Sequence, residues 1–287
     1  MNQPENQMPD ATPGYGAPHQ QDQPRVQEPA RLGPFARLTG TLLSPGETFA
    51  DVNRKPTWLS PLLIVLLIGL ATTLFVEWRV KPDWDRFFRS QIAKSVEKSG
   101  RTMTKEDIDK AVAMQIKFSK TDLTSPLSLL FAMVRLVIYT VVVCVIPAGI
   151  FALGLMLIQA QTTFKKILSV VSWSTAATGL VGLLVFIGAL MIQDQERLRD
   201  INPPEIPTLV PTNLGVVLPQ GMSPFISSLI GSIDVFAIWF LILLIIGFVA
   251  ISGAKRITKS KVASLVLSLW FLWIIIKAAF ASVFFSR

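Results

Sequence analysis

The sequence predicts an all-α membrane protein, with five transmembrane helices and short amphipathic interfacial helices. Three observations predict it. Apolar residues make up 51% of the chain and charged residues only 16%, against about 25% charged in a soluble domain. The apolar residues are gathered into blocks, several of them long enough to cross a bilayer, which takes about 20 residues at 1.5 Å of rise each. Three of these blocks open on Ser-Pro, at Ser60-Pro61, Ser125-Pro126 and Ser223-Pro224. A serine cap followed by a proline at the first helical position is a helix start.

Residues 1–30 are rich in Gln, Pro, Asn and Asp and carry no apolar periodicity, so a disordered tail is expected. The tail also lacks the basic start and apolar core of a signal peptide. From 31 to 57 the character changes. Leu32, Phe35, Leu38, Leu42 and Leu43 fall near helical spacing, which predicts an amphipathic segment at the membrane surface. Ser44-Pro45 begins a second short helix there.

The membrane domain is expected over 58–285. Its spans are predicted at about 59–76, 127–158, 167–192, 224–252 and 262–283. Trp58 and Trp78 bracket the first, as interfacial tryptophans do. The second is longer than a bilayer is thick, and Pro147 inside it is the expected kink. The third carries Ser172, Ala176, Gly179 and Leu183 on one stripe with Gly182 beside it. Small residues at that spacing let helices approach closely, and a substrate path is the sharper alternative. The last two spans have no polar face and are joined by a basic turn.

Two polar segments interrupt the spans. Over 83–118 a helical hairpin is predicted. Its first helix has Trp84, Phe87, Phe88, Ile92 and Val96 on one face, and its second opens at Thr104 with Asp107 three residues on. It is too small for an enzyme domain and reads as an interfacial cap. The segment 193–222 holds five of its prolines between Pro203 and Pro219 and is expected to be an extended linker in polyproline conformation.

Net charge is +8. The basic residues lie mostly in loops and at span ends, which suits contact with lipid headgroups better than with nucleic acid. Lys165 and Lys166, and the four basic residues between 255 and 261, occupy short turns free of acids. These place the N-terminus in the cytoplasm.

Catalysis is not expected. His19 and Cys144 are the sole histidine and cysteine, which argues against a histidine triad and a His/Cys zinc site. No P-loop, metalloprotease motif or G-x-S-x-G elbow is present, and no cofactor is implied.

The candidates for function are the charges within the apolar runs: Arg135, Asp234 and Lys277. Leaving one unpaired at mid-bilayer costs about 2.5–3.5 kcal/mol on insertion scales. Arg135 and Asp234 each lie roughly 15 Å below the predicted start of their helix. Asp234 is therefore expected to pair with Arg135 or Lys277. The cluster reads either as a site for an ion, proton or lipid headgroup, or as a structural pair beside which Lys277 snorkels.

The segments Leu43-Ser-Pro-Gly-Glu-Thr-Phe49 and Arg54-Lys-Pro-Thr-Trp-Leu-Ser-Pro61 resemble prokaryotic members of the Yip family, the Ypt/Rab-interacting membrane proteins. So do Ser232-Ile-Asp-Val-Phe-Ala-Ile-Trp239, a span closing on Gly247, and Trp270 followed by Ile276-Lys277. The resemblance implies a five-span integral membrane scaffold, in a prokaryotic cytoplasmic membrane, without catalytic activity. Its partners would be the lipid bilayer and either another membrane protein or a second copy of the chain. Contact with small GTPases is implied by family analogy alone. The rival expectation is a small transporter or channel that uses the Arg/Asp/Lys cluster.

Overall fold

The structure is a computed structural model that describes residues 32–285 apart from 101, 123, 200, 220–221 and 254–256. The expected disordered tail, 1–30, lies outside the described residues. The described chain forms α1 (Pro34–Leu43), α2 (Pro45–Arg54), α3 (Leu59–Arg79), α4 (Trp84–Ser99), α5 (Lys105–Ser119) and α6 (Pro126–Thr140). A π-helical turn, Val141–Val145, leads into α7 (Ile146–Leu157). There follow α8 (Phe164–Met191), α9 (Gln195–Arg199), α10 (Pro224–Ile230), α11 (Val235–Ile251) and α12 (Lys259–Phe285).

Four helical stretches are long and apolar enough to cross a membrane: α3, Pro126–Leu157, α8 and Lys259–Val283. α11 is apolar throughout but has 17 residues. The all-α membrane class therefore holds, and a fifth crossing depends on α11 alone.

α8 is the hub, in contact with α1, α2, α3, α7 and α11. Its first half, from Ile167 to Thr178, is buried at nearly every position. Trp173 is wholly enclosed there, in one core with Phe49, Leu155, Leu244 and Phe248. Ser172 and Ala176 of the small-residue stripe are buried in this core. Gly179 faces Ile68 of α3, and Gly182 has open space beside it.

The amphipathic segment, described from residue 32 on, packs on the bundle. Its two helices dock into the bundle, α1 against α8 and α2 against α8 and α11. The reason is a second face hidden within the polar sequence. Arg37, Thr41, Thr48 and Asp51 are buried beside Leu38, Phe49 and Val52, and Arg37 forks onto Asp51 Oδ2 at 2.9 and 2.7 Å. Gly247 of α11 supplies the notch. A Cβ there would overlap Val170 and stand 3.3 Å from Phe49 Cγ. Phe35 and Leu43, grouped with Leu38 by their spacing, are exposed.

The second predicted span changes its winding one turn before Pro147. The π turn at 141–145 lengthens the hydrogen-bond ring where the proline withholds its donor, and Pro147 then stands in the first turn of α7.

Two expectations are corrected at the end of the bundle reached by the C-terminus of α3. The segment 193–222 is not an extended polyproline linker. It folds as α9 and two 3-10 turns, Pro203–Leu209 and Leu214–Val217. Leu198 and Ile206 are buried with Val80 and Leu190, so its scattered apolar residues make a small core of their own. Nor is 224–252 one helix. The chain breaks after α10, and residues 212–214 pair with 233–235 through Leu214 N–H to Ile233 O and Val235 N–H to Thr212 O. Gly215 permits this approach, because a Cβ there would stand 3.3 Å from the Gly231 Cα.

Candidate functional site

Arg135 lies in the third turn of α6. Helix side chains lean toward their own N-terminus, which carries the guanidinium back to the end of α5. There Nη1 donates to Phe118 O (2.9 Å) and Ser119 O (2.6 Å), and Nη2 donates to Thr121 Oγ1 (2.9 Å). Phe118 and Ser119 are the last residues of α5. Arg135 thus closes a helix C-terminus, where unsatisfied carbonyls and the dipole favour a cation.

Asp234 does the converse. It is the N-cap of α11, and its Oδ1 accepts from the backbone N–H of Phe236 (2.8 Å) and Ala237 (3.2 Å). Its Oδ2 accepts from the Thr212 hydroxyl. The expected pairing of Asp234 with Arg135 or Lys277 is therefore not made. Among the described residues no ion pair joins them, and Lys277 is exposed on α12 without a polar partner. Asp234 also does not lie deep in a helix, because the helix begins at it.

A residue the sequence did not single out stands opposite Arg135. Glu77, near the end of α3, accepts through Oε1 from Trp84 Nε1 (3.3 Å) and from the Thr121 backbone N–H (3.3 Å). Both charges line a cavity of about 630 Å³ between α3, α6, α8 and the 203–212 segment. Thr212 and Phe236, either side of Asp234 in space, line it too. A second cavity of about 330 Å³ shares Thr72, Thr73 and Arg135 with the first and continues between Ile68, Leu136 and Gly179. Glu77 lies one residue past the predicted end of the first span, 59–76, whereas α3 runs on to Arg79 and carries it in its last turn.

The hairpin of α4 and α5 roofs this region. Arg89 bridges Asp85 (2.7 Å) and Asp109 (2.6 Å), which ties the two helices together. Its hydrogen bonds to Asp85 first and Asp109 second push its guanidinium pKa further up. Phe118 packs on Phe131 of α6, ring centroids 4.3 Å apart. Between hairpin and α6, Asp122 accepts from the Thr124 hydroxyl and backbone, which hold its carboxyl below the ordinary carboxylate range. Among the described residues no group of His, Cys, Asp and Glu could hold a metal ion.

The fold and the cavity define a multi-pass helical membrane protein in which Glu77, Arg135 and Asp234 gather at one end of the bundle. The family model of the Yip1 domain matches residues 39–281. The chain belongs to the Yip1 family. No curated protein and no solved structure matches it.

Proposed function

We propose that this protein is a five-span membrane scaffold of the cytoplasmic membrane of a prokaryote, without catalytic activity, and with its N-terminus in the cytoplasm. The observation that carries the reading is the seating of the α1–α2 hairpin. Phe49 is wholly buried against α8 and α11, and the Arg37–Asp51 pair is closed off from solvent. A partner held on this hairpin is thereby held to the spans. Phe35 and Leu43, at 78% and 83% exposure, are the large apolar side chains it offers outward. A membrane protein, either a second kind or a second copy of this chain, is the partner such a surface suits. The fifth crossing is assigned to α11, whose 17 residues sit at the short end of the spanning range of about 17–25.

Photocrosslinking from positions 35 and 43 in native membranes tests this. A discrete protein adduct supports the scaffold. Lipid adducts alone at both positions contradict it.

The rival, a small transporter or channel, is favoured by one observation: Arg135 and Glu77 line a cavity. It predicts solute flux across liposomes carrying the purified protein, above that of empty liposomes. The scaffold predicts none.

A further inference from the structure

We propose that the cavity between α3, α6 and α8 binds a single phospholipid of the ethanolamine class, its phosphodiester on Arg135 and its ammonium on Glu77. This requires only that the chain is an integral membrane protein, and it stands whether or not the scaffold reading does.

Arg135 has donors to spare. Three N–H groups reach Phe118 O, Ser119 O and Thr121 Oγ1. A guanidinium has five, so Nε–H and one Nη2–H have no protein acceptor among the described residues. Arginine remains charged at any physiological pH, and its fork fits phosphate oxygens. Glu77 has acceptors to spare. Its hydrogen bonds from Trp84 and Thr121 both fall on Oε1, and Oε2 receives none among the described residues. The two charges do not form an ion pair with each other. They are held apart by Thr121, which gives its backbone N–H to one and its hydroxyl oxygen to the other.

The cavity therefore offers a fixed cation and a fixed anion one residue apart. That pattern selects among headgroups. A glycerol headgroup brings the same phosphodiester to Arg135 but only neutral hydroxyls to Glu77, without a cation to offset the carboxylate. A choline headgroup carries a positive charge with no N–H to donate to Oε2. An ethanolamine headgroup carries a phosphodiester and a primary ammonium, and it satisfies both. Below the charges, the lining turns apolar at Val65, Ile68 and Leu136 and reaches Tyr139, 52% exposed on the outside of α6. An acyl chain can follow that course toward the bilayer. The two connected cavities fall in the size range of about 300–1,000 Å³ usual for small-ligand sites.

The test uses the full chain in nanodiscs made of equal parts dioleoyl-phosphatidylethanolamine, -phosphatidylcholine and -phosphatidylglycerol. Lipid retained after detergent exchange is counted by native mass spectrometry. The expected result is one retained ethanolamine lipid, favoured about tenfold over each of the others, as one charge-assisted hydrogen bond implies. Glu77→Gln should erase the preference over choline. Gly182→Leu should empty the site without unfolding the protein, because nothing lies within 4 Å of a Cβ at that position and the added side chain grows into the cavity. Helix content and melting of both variants serve as the folding check. Preferential retention of the glycerol lipid would overturn the proposal. So would a pattern unchanged in both folded variants, which would mean annular lipid only.

Discussion

Glu77 and Arg135 reach the same threonine from opposite sides. The Thr121 N–H donates to the carboxylate at 3.3 Å, and the Thr121 hydroxyl oxygen accepts from the guanidinium at 2.9 Å. One short turn thus fixes α3, the α4–α5 hairpin and α6 relative to one another and keeps two opposite charges from neutralising each other. The cavity's polarity depends on that turn.

Arg135→Ala should loosen the hairpin more than the bundle. It removes three charge-assisted hydrogen bonds from the end of α5, where such bonds are worth about 1.5–3 kcal/mol each before re-solvation of the freed carbonyls. Hydrogen exchange at 112–121 should quicken, while protection of α8 stays. Arg135→Lys should restore part of the protection but not the geometry.

Asp234→Asn should be nearly silent, because asparagine caps a helix about as well as aspartate. Asp234→Ala should cost about 1 kcal/mol in a denaturation or melting series. A large loss in the asparagine variant would show that the charge itself is needed, and would restore the ion-pair reading.

Breaking the buried Arg37–Asp51 pair from one side should cost about 3–5 kcal/mol, because the remaining charge stays buried without its partner. Asp51→Asn combined with Arg37→Met should cost less than the two single losses summed, a coupling readable in a double-mutant cycle. Gly247→Ala should itself destabilise by about 1–3 kcal/mol through overlap with Val170.

Asp122 is expected to titrate below its ordinary value of 3.8. A carboxyl depressed in the folded state contributes stability that is fully present above its unfolded pKa and is lost as pH falls through the folded one. The window is therefore acidic, below about 4. Thr124→Ala removes the largest cause of the shift and should raise the carboxyl's midpoint in a carbon-13 titration.

The Ser-Pro starts were legible at Pro126 and Pro224, where the serine caps the helix, but at Ser60-Pro61 the helix already begins at Leu59, and the helix from Pro224 ends at Ile230. The charges were less legible. Reading Arg135 and Asp234 as residues that need an opposite charge overlooks helix ends, which carry about half a charge of either sign. Asp234 in particular sits in Gly231-Ser-Ile-Asp-Val235, where a glycine, a serine and a possible cap interrupt an otherwise apolar run, and that combination is a helix boundary. The docking of α1 and α2 was hidden for another reason. Their buried face pairs Arg37 with Asp51, fourteen residues away, and apolar periodicity does not register a face made of polar residues. Glu77 escaped because its role depends on Thr121, a contact that spans 44 residues.

The central claim, five crossings with α11 as the fourth, is tested most directly by thiol labelling from one side of the membrane. Cys144 is first replaced by alanine, and single cysteines are placed at Lys98, Gln161, Val217 and Thr258, all exposed. In right-side-out vesicles a membrane-impermeant reagent should label positions 98 and 217 and leave 161 and 258 untouched until the vesicles are opened. Labelling of 217 and 258 from the same side, in folded protein, would mean that α11 does not cross, and the five-span scaffold would be wrong.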